Sequence, residues 1–307
     1  RGLVRRGFHV LVLARNPSRG RDLAGSLAPH ATFVEYHADK LDSARNVQRI
    51  MRDRALAVLI NNAGTMGGSK SDTMKVNLLG PSALTLSLMH SMEIQSKQER
   101  APSPLVVNVG SSSHLRAAEV RPNTMNSDEI DSNLAAYAES KLGLMQFSNI
   151  LRRTFPWLLS IDAHPGLVWT PLLKNHFPGA KMMERVGVSN LLYKTPEGGA
   201  STILAAVDTA RASYANGGQN DVSKEQNWST KQVYFVNMKP GGYASKESRN
   251  DTASWEMWRN ILGPALKGLE SNTHSYLEVQ DRHSLVCSSG VLPAGKETNK
   301  PRVITSP

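Results

Sequence analysis

Cysteine is almost absent from this 307-residue chain, where Cys287 stands alone. No intramolecular disulfide framework is available, and the composition suits a reducing compartment. No apolar run is long enough to cross a bilayer, because charge or proline interrupts each one within a few residues. No signal-peptide pattern stands at the start. These absences set the expectation of a cytoplasmic protein. Clusters with metal-ligand spacing are also missing: the nine His are scattered, and none pairs with acid or Cys at a ligand interval, which argues against a metal centre. The chain is strongly basic, with a formal net charge of +10 and a pI near 9.8. That excess suits an anionic partner. Nucleic acid is nevertheless not expected, because zinc-finger spacing, a recognition-helix signature and aromatic–basic interleaving are all lacking.

What is present is an alternation of short β-rich runs and longer helical stretches. Strand patterns fall at Phe8 to Ala14, Thr32 to Tyr36, Leu56 to Ile60, Leu105 to Val109, Leu158 to Ala163 and Gln232 to Met238. Helical patterns lie between them, near Ser18, Asp42 to Arg54, Thr73 to Gln98, Asn133 to Phe155, Pro196 to Ala210 and Thr252 to Leu269. Helices long enough for crossovers between strands imply parallel β-α-β units, hence an α/β fold with a doubly wound parallel sheet. Residues 1–270 are expected to form one domain. Residues 212–230 read as an exposed loop, and residues 271–307 as a disordered tail.

The chemistry concentrates at strand ends, where open parallel sheets bind ligands. Tyr137 and Lys141, four apart on a helix, share one face, and an ammonium beside a phenol favours the phenolate. Alone, the pair is as readily an ordinary surface pair at helical spacing. Upstream, the strand Val106 to Val109 runs into Gly110-Ser111-Ser112-Ser113-His114. A serine there either holds a substrate oxygen or caps a turn. Asn61-Asn62-Ala63-Gly64 ends another strand, and Asn77 sits within an otherwise apolar helix, where its carboxamide needs a partner. His164-Pro165-Gly166-Leu167-Val168-Trp169-Thr170 leaves a further strand end with turn chemistry and a hydroxyl. Arg15 follows the first strand, with Arg19 and Arg21 nearby. An arginine at that position can fork onto a 2′-phosphate where an acid would bind a ribose 2′-hydroxyl. The alternative is a solvated basic loop.

Taken in order, these segments resemble the short-chain dehydrogenase/reductase family over about residues 3 to 269. The Asn108-Val109-Gly110-Ser111 run, His114, the wide interval to Tyr137 and Thr195-Pro196-Glu197-Gly198-Gly199 look most like its retinol-dehydrogenase and WW-domain-oxidoreductase branch. The resemblance implies an oxidoreductase interconverting a lipophilic alcohol and its aldehyde or ketone, with NADP(H) favoured over NAD(H). It implies Tyr137 as general acid/base, Lys141 as its tuner and a ribose ligand, Ser111 as the substrate-orienting serine with Ser112 as fallback, and Asn77 as the holder of a relay water. Cofactor contacts would come from Arg15, Asp39, Asn61, Ala63, Gly64, Tyr137, Lys141, Pro165, Gly166, Val168 and Thr170. Asp39 resembles the acid beside the adenine, although a helix cap serves it equally well. An apolar stretch between Thr170 and Thr195 would either close over the substrate or pack on the sheet. A homo-oligomer is compatible with the family.

Two departures from the family pattern stand out. The first strand and its Gly-rich phosphate turn are missing before Arg1, so the chain reads as N-terminally incomplete, and membrane association through an upstream anchor stays open. The interval from Gly64 to Asn77 is also short, and it carries Gly67-Gly68. The alternative reading is a catalytically inactive relative acting as a binding or scaffold protein.

Overall fold

In a computed structural model, residues 1–175, 179–185, 193–215, 234–241, 244–267 and Leu269 are described. Cys287, residues 271–307 and most of the 212–230 loop lie outside them, as do Phe177, Val186, Leu191 and Leu192 of the apolar stretch. The parallel strands are β1 (Val10–Ala14), β2 (Ala31–Glu35), β3 (Val58–Asn61), β4 (Leu105–Val109), β5 (Leu159–His164) and β6 (Tyr234–Val236). A two-residue strand, β7 (Lys239–Pro240), turns back antiparallel on β6. The turn is made at Asn237 and Met238, both with positive φ, the geometry that suits a tight hairpin.

Helices cover both faces. β4 is buried throughout because Val106 joins the core shared with the long helix α6 (Ala135–Thr154), while Leu105, Val107 and Val109 meet the helix Pro196–Ala215. Its apolar run, broken only by Asn108, is the expected consequence of burial on two sides. α1 (Pro17–Gly25) starts on Asn16, whose side chain accepts the Arg19 amide hydrogen at 3.0 Å. α2 (Leu41–Met51) buries Ala44, Val47 and Met51, one helical stripe.

The sheet is divided. Among the described residues β1 pairs only with β2, while β3 to β7 form a separate five-stranded sheet in sequence order. Between β1 and β3 lies a cavity of about 650 Å³, lined by Val10, Leu11 and Leu13 on one side and Val58, Leu59 and Ile60 on the other. The two sheets thus face each other across an apolar slot.

The helix anticipated over Thr73 to Gln98 is interrupted. It resolves into α3 (Lys70–Met74), a π turn at Lys75–Leu79, α4 (Gly80–Ser87) and α5 (Met89–Ser96). Pro81 has no amide hydrogen and cannot continue the regular ladder, so the preceding turn widens. The same device recurs in the last helix, where Asp251–Met257 passes through a π turn at Trp258–Leu262 into Gly263-Pro264. Gly80 also permits close approach: a Cβ there would lie 2.1 Å from the Ala38 carbonyl oxygen, and Tyr36 donates its hydroxyl hydrogen to the Gly80 carbonyl at 3.1 Å. Gly80→Ala is therefore expected to destabilise the fold by about 1–3 kcal/mol, read as a lower midpoint of chemical denaturation. An unchanged midpoint would contradict this packing.

A polar rung crosses the apolar sheet. Asn61, Asn108 and Asp162 occupy one register row of β3, β4 and β5. Asn61 donates to Asn108 Oδ1 at 2.7 Å, Asn108 donates to Ser148 Oγ at 2.7 Å, and Ser148 donates to Asp162 Oδ1 at 2.6 Å. Ser148 belongs to α6 (Ala135–Thr154). A one-residue slip of any strand would strand these buried groups, so the rung fixes register just behind the strand ends that carry the chemistry.

Candidate active site

The carboxyl ends of β3, β4 and β5 open onto a second cavity of about 650 Å³. Ala63 and Gly64 line it after β3, Gly110 and Ser111 after β4, and Pro165, Gly166, Val168 and Thr170 after β5, while α6 contributes Tyr137 and Lys141. Gly64 packs closely here: a Cβ would lie a tight 3.3 Å from Asn77 Oδ1 and in ordinary contact, 3.7 Å, with Lys141 Nζ.

Tyr137 and Lys141 are buried at 7% and 5% exposure. Lys141 donates to the Val109 carbonyl at 2.9 Å, and its Nζ stands 5.8 Å from the centre of the Tyr137 ring. Burial pushes the Lys141 ammonium down to about 8. The phenol of Tyr137 is pushed above its ordinary value by burial, and its hydrogen bond with Ser111 partly offsets that rise. This corrects the expectation of a phenol lowered by its lysine: burial dominates at the phenol, while the ammonium bonds the Val109 carbonyl and keeps two further donors. Ser111 is half-buried and interacts with the phenol, whereas Ser112 is exposed. Ser111 also caps the following turn, accepting the Ser113 amide hydrogen at 3.2 Å, as the second reading of it expected.

Asn77 is fully buried in the π turn and has the partners its position demands. Its amide donates to the Thr65 carbonyl at 2.8 Å and to Ser140 Oγ at 3.0 Å, and its Oδ1 accepts the Thr65 amide hydrogen at 2.8 Å. It ties the segment after β3 to α6 between Tyr137 and Lys141, and one Oδ1 lone pair is left for a further donor. The short Gly64–Asn77 interval thus follows a tethered course: Gly67 and Gly68 take positive φ, and Thr73 donates to the Gly67 carbonyl.

Three expected cofactor residues lie elsewhere. Asn61 spends both amide hydrogens on Thr85 and Asn108 and does not line this cavity. Its polarity belongs to the rung. Arg15 and Asp39 are exposed, just after β1 and β2 respectively, and line neither cavity.

Sequence reasoning treated His164 only as part of a turn, yet it lines the cavity. Its ring stacks on Tyr234, with centroids 6.4 Å apart and planes 2° from parallel, and His114 meets Tyr234 edge-on at 5.5 Å. His164 is held below the usual histidine value, first by burial and then by the nearby His114, Lys194 and Lys141. Leu172, Leu173 and Ile203 supply an apolar wall; the first two come from the stretch expected near the substrate.

The arrangement places a hydroxyl pair, Ser111 and Tyr137, beside a buried cation at the mouth of a parallel sheet, which suits proton exchange with an alcohol or carbonyl oxygen. No family model matches the sequence. Human polyprenol dehydrogenase is 30% identical over 230 residues, covering 67% of this chain and 67% of that protein. Its mouse counterpart is 30% identical over 224 residues, with 67% and 66% covered. Mouse retinol dehydrogenase 14 is 29% identical over 229 residues, with 66% of each covered. The chain thus spans about two thirds of the length of these relatives. Among solved structures, an alcohol dehydrogenase from the archaeon Thermococcus sibiricus superposes with TM-score 0.51 at 16% identity, covering 67% of this chain and 83% of that one. An actinorhodin polyketide ketoreductase gives 0.52 at 19%, covering 66% and 81%. At such identities these two likenesses establish the fold. No helix among the described residues is long and apolar enough to cross a membrane. By its curated relatives and its fold, the chain belongs to the short-chain dehydrogenase/reductase family, enzymes that oxidise CH–OH groups or reduce the corresponding carbonyls with a nicotinamide dinucleotide.

Proposed function

We propose that this chain interconverts a lipophilic alcohol with its aldehyde or ketone, using NADP(H). The observation that carries the reading is the cluster of half-buried Ser111 with buried Tyr137 and Lys141 in the lining of a cavity that also has an apolar wall. The dinucleotide supplies the hydride for reduction and receives it in oxidation. Tyr137 gives its hydroxyl proton to the carbonyl oxygen in one direction and takes it from the alcohol in the other. Ser111 orients that oxygen by hydrogen bond, and Lys141 holds the nicotinamide ribose. Asn77, with its remaining lone pair, holds a water toward Lys141. Ala63, Gly64, Pro165, Gly166, Val168 and Thr170 hold the nicotinamide end. Arg15 would meet the 2′-phosphate and Asp39 the adenine. Leu172, Leu173 and Ile203 select an apolar substrate. Polyprenol and retinol, for which the relatives are named, are alcohols of that class.

Oxidation of NADPH in the presence of a long-chain isoprenoid aldehyde tests this, followed by absorbance of the reduced nicotinamide. Turnover is expected with the long-chain aldehyde and much less with acetaldehyde; the reverse preference would refute the substrate class. Arg15→Glu is expected to raise the KM for NADPH about tenfold or more and to narrow the gap to NADH, since it removes charge-assisted hydrogen bonds. An unchanged NADPH-to-NADH ratio would remove Arg15 from the site.

A further inference from the structure

Asp131 does not line the cavity, yet it grips the residue at its centre. It is 1% exposed, and its two carboxylate oxygens accept different backbone hydrogens of the first turn of α6. Oδ1 takes the Ala136 amide hydrogen at 3.1 Å, and Oδ2 takes that of Tyr137 at 2.9 Å. The N-cap position of α6 has nothing to offer in its place: Leu134 stands there with φ of 58° and no side-chain hydrogen bond. The cap therefore comes from three residues upstream, and the left-handed backbone at Leu134 is the bend that lets it reach.

The same residue is sewn to the segment after β3. The Asp131 amide donates to the Gly68 carbonyl at 2.8 Å, Ser69 bridges Ile130, and the Lys70 and Ser71 amides donate to the Glu129 and Ser127 carbonyls at 2.8 and 2.9 Å. That segment continues directly from Gly64 and Met66, which line the cavity. On the other side of Tyr137, its carbonyl accepts the Ser140 hydroxyl hydrogen at 2.8 Å, and Ser140 in turn accepts from Asn77. Tyr137 is thus held at both of its backbone polar groups by side chains anchored in one connected frame.

We propose that Asp131 is a positioning residue for Tyr137, setting the depth of the phenol in the cavity and registering α6 against the segment that runs from Gly64 to Ser71. The inference rests on Tyr137 as the acid/base group. Misplacement of a reacting atom by about 1 Å costs on the order of 10²-fold in rate, and loss of the carboxylate frees the first turn by that order of movement.

The test uses Asp131→Ala and Asp131→Asn in the full chain, with two readouts. The first is kinetic. Asp131→Ala should lower kcat about 10- to 100-fold while the KM for NADPH and for the aldehyde stay within about twofold, and Asp131→Asn, which keeps one acceptor, should recover part of the loss. The second needs no turnover: the Tyr137 amide, followed by hydrogen exchange, should exchange about tenfold faster or more in Asp131→Ala and less so in Asp131→Asn. Unchanged exchange at Tyr137 would overturn the clamp. A fall in kcat that only tracks the folded fraction in both variants would overturn the positioning role. Full turnover in Tyr137→Phe would overturn the acid/base reading and the proposal with it, even with exchange accelerated.

Discussion

Tyr137→Phe is expected to lower kcat by roughly 10²- to 10⁴-fold, the usual worth of a positioned general acid or base, with dinucleotide affinity changed little. The substitution isolates the hydroxyl. The phenyl ring fills the same buried space, so the packing that keeps Tyr137 at 7% exposure is retained. Only the hydrogen bond with Ser111 is lost, and Ser111 still contacts Ser113 at 3.2 Å. The fold should therefore survive, and steady-state kinetics together with a binding titration would separate chemistry from affinity. Because burial raises the phenol in the ligand-free protein, Tyr137 enters the reaction protonated, poised for carbonyl reduction. Turnover at the wild-type rate in the phenylalanine variant would refute its assigned role.

Lys141→Met should show the opposite signs for stability and activity. The ammonium is buried and held near 8, against an ordinary 10.5. Between those values the unfolded chain binds a proton that the native chain does not, so native stability rises with pH across that window. Below about pH 8 the native protein carries the whole cost of a buried charge, a shift equivalent to about 3 kcal/mol. Methionine removes that cost but also the charge-assisted hydrogen bond to Val109, worth about 1.5–3 kcal/mol. The net expectation is a gain of up to about 1.5 kcal/mol at neutral pH, turning to a loss by about pH 10.5. Turnover should fall to near background at every pH. Melting temperatures across the pH range check the first part; a Met variant less stable than the parent at pH 7 would show that the charge is not the dominant cost.

The order of strands and helices was legible because the signals are local. β4 coincides with the expected Leu105–Val109, since an apolar run bounded by Pro104 and Gly110 permits little else. The helix from Thr73 was misjudged where a local signal was passed over: Gly80-Pro81, like Gly263-Pro264, follows each π turn. Ser111, Tyr137 and Lys141 stand out through the family resemblance rather than through spacing alone, and the chain brings them to one cavity. Asn61, expected at the cofactor from its strand-end position, has its amide hydrogens in the polar rung. The competing clue, a polar residue repeated as Asn108 and Asp162 in the next two strands, becomes visible only once register is known. His164 was missed for a related reason: turn residues in sequence give no sign of which rings they will stack on. Asp131, three residues before its helix, falls outside the spacing at which a cap is sought.

The slot between β1 and β3 has a consequence for handling this polypeptide. Among the described residues, each bordering strand has no strand paired on its slot side, where its peptide groups are set among Val, Leu and Ile side chains. Such a surface is adhesive toward any extended backbone that reaches it, including the same chain in a neighbouring molecule. The +10 charge works against that contact by keeping copies apart at low ionic strength. Salt, which improves the behaviour of many basic proteins, should make this one more prone to cluster.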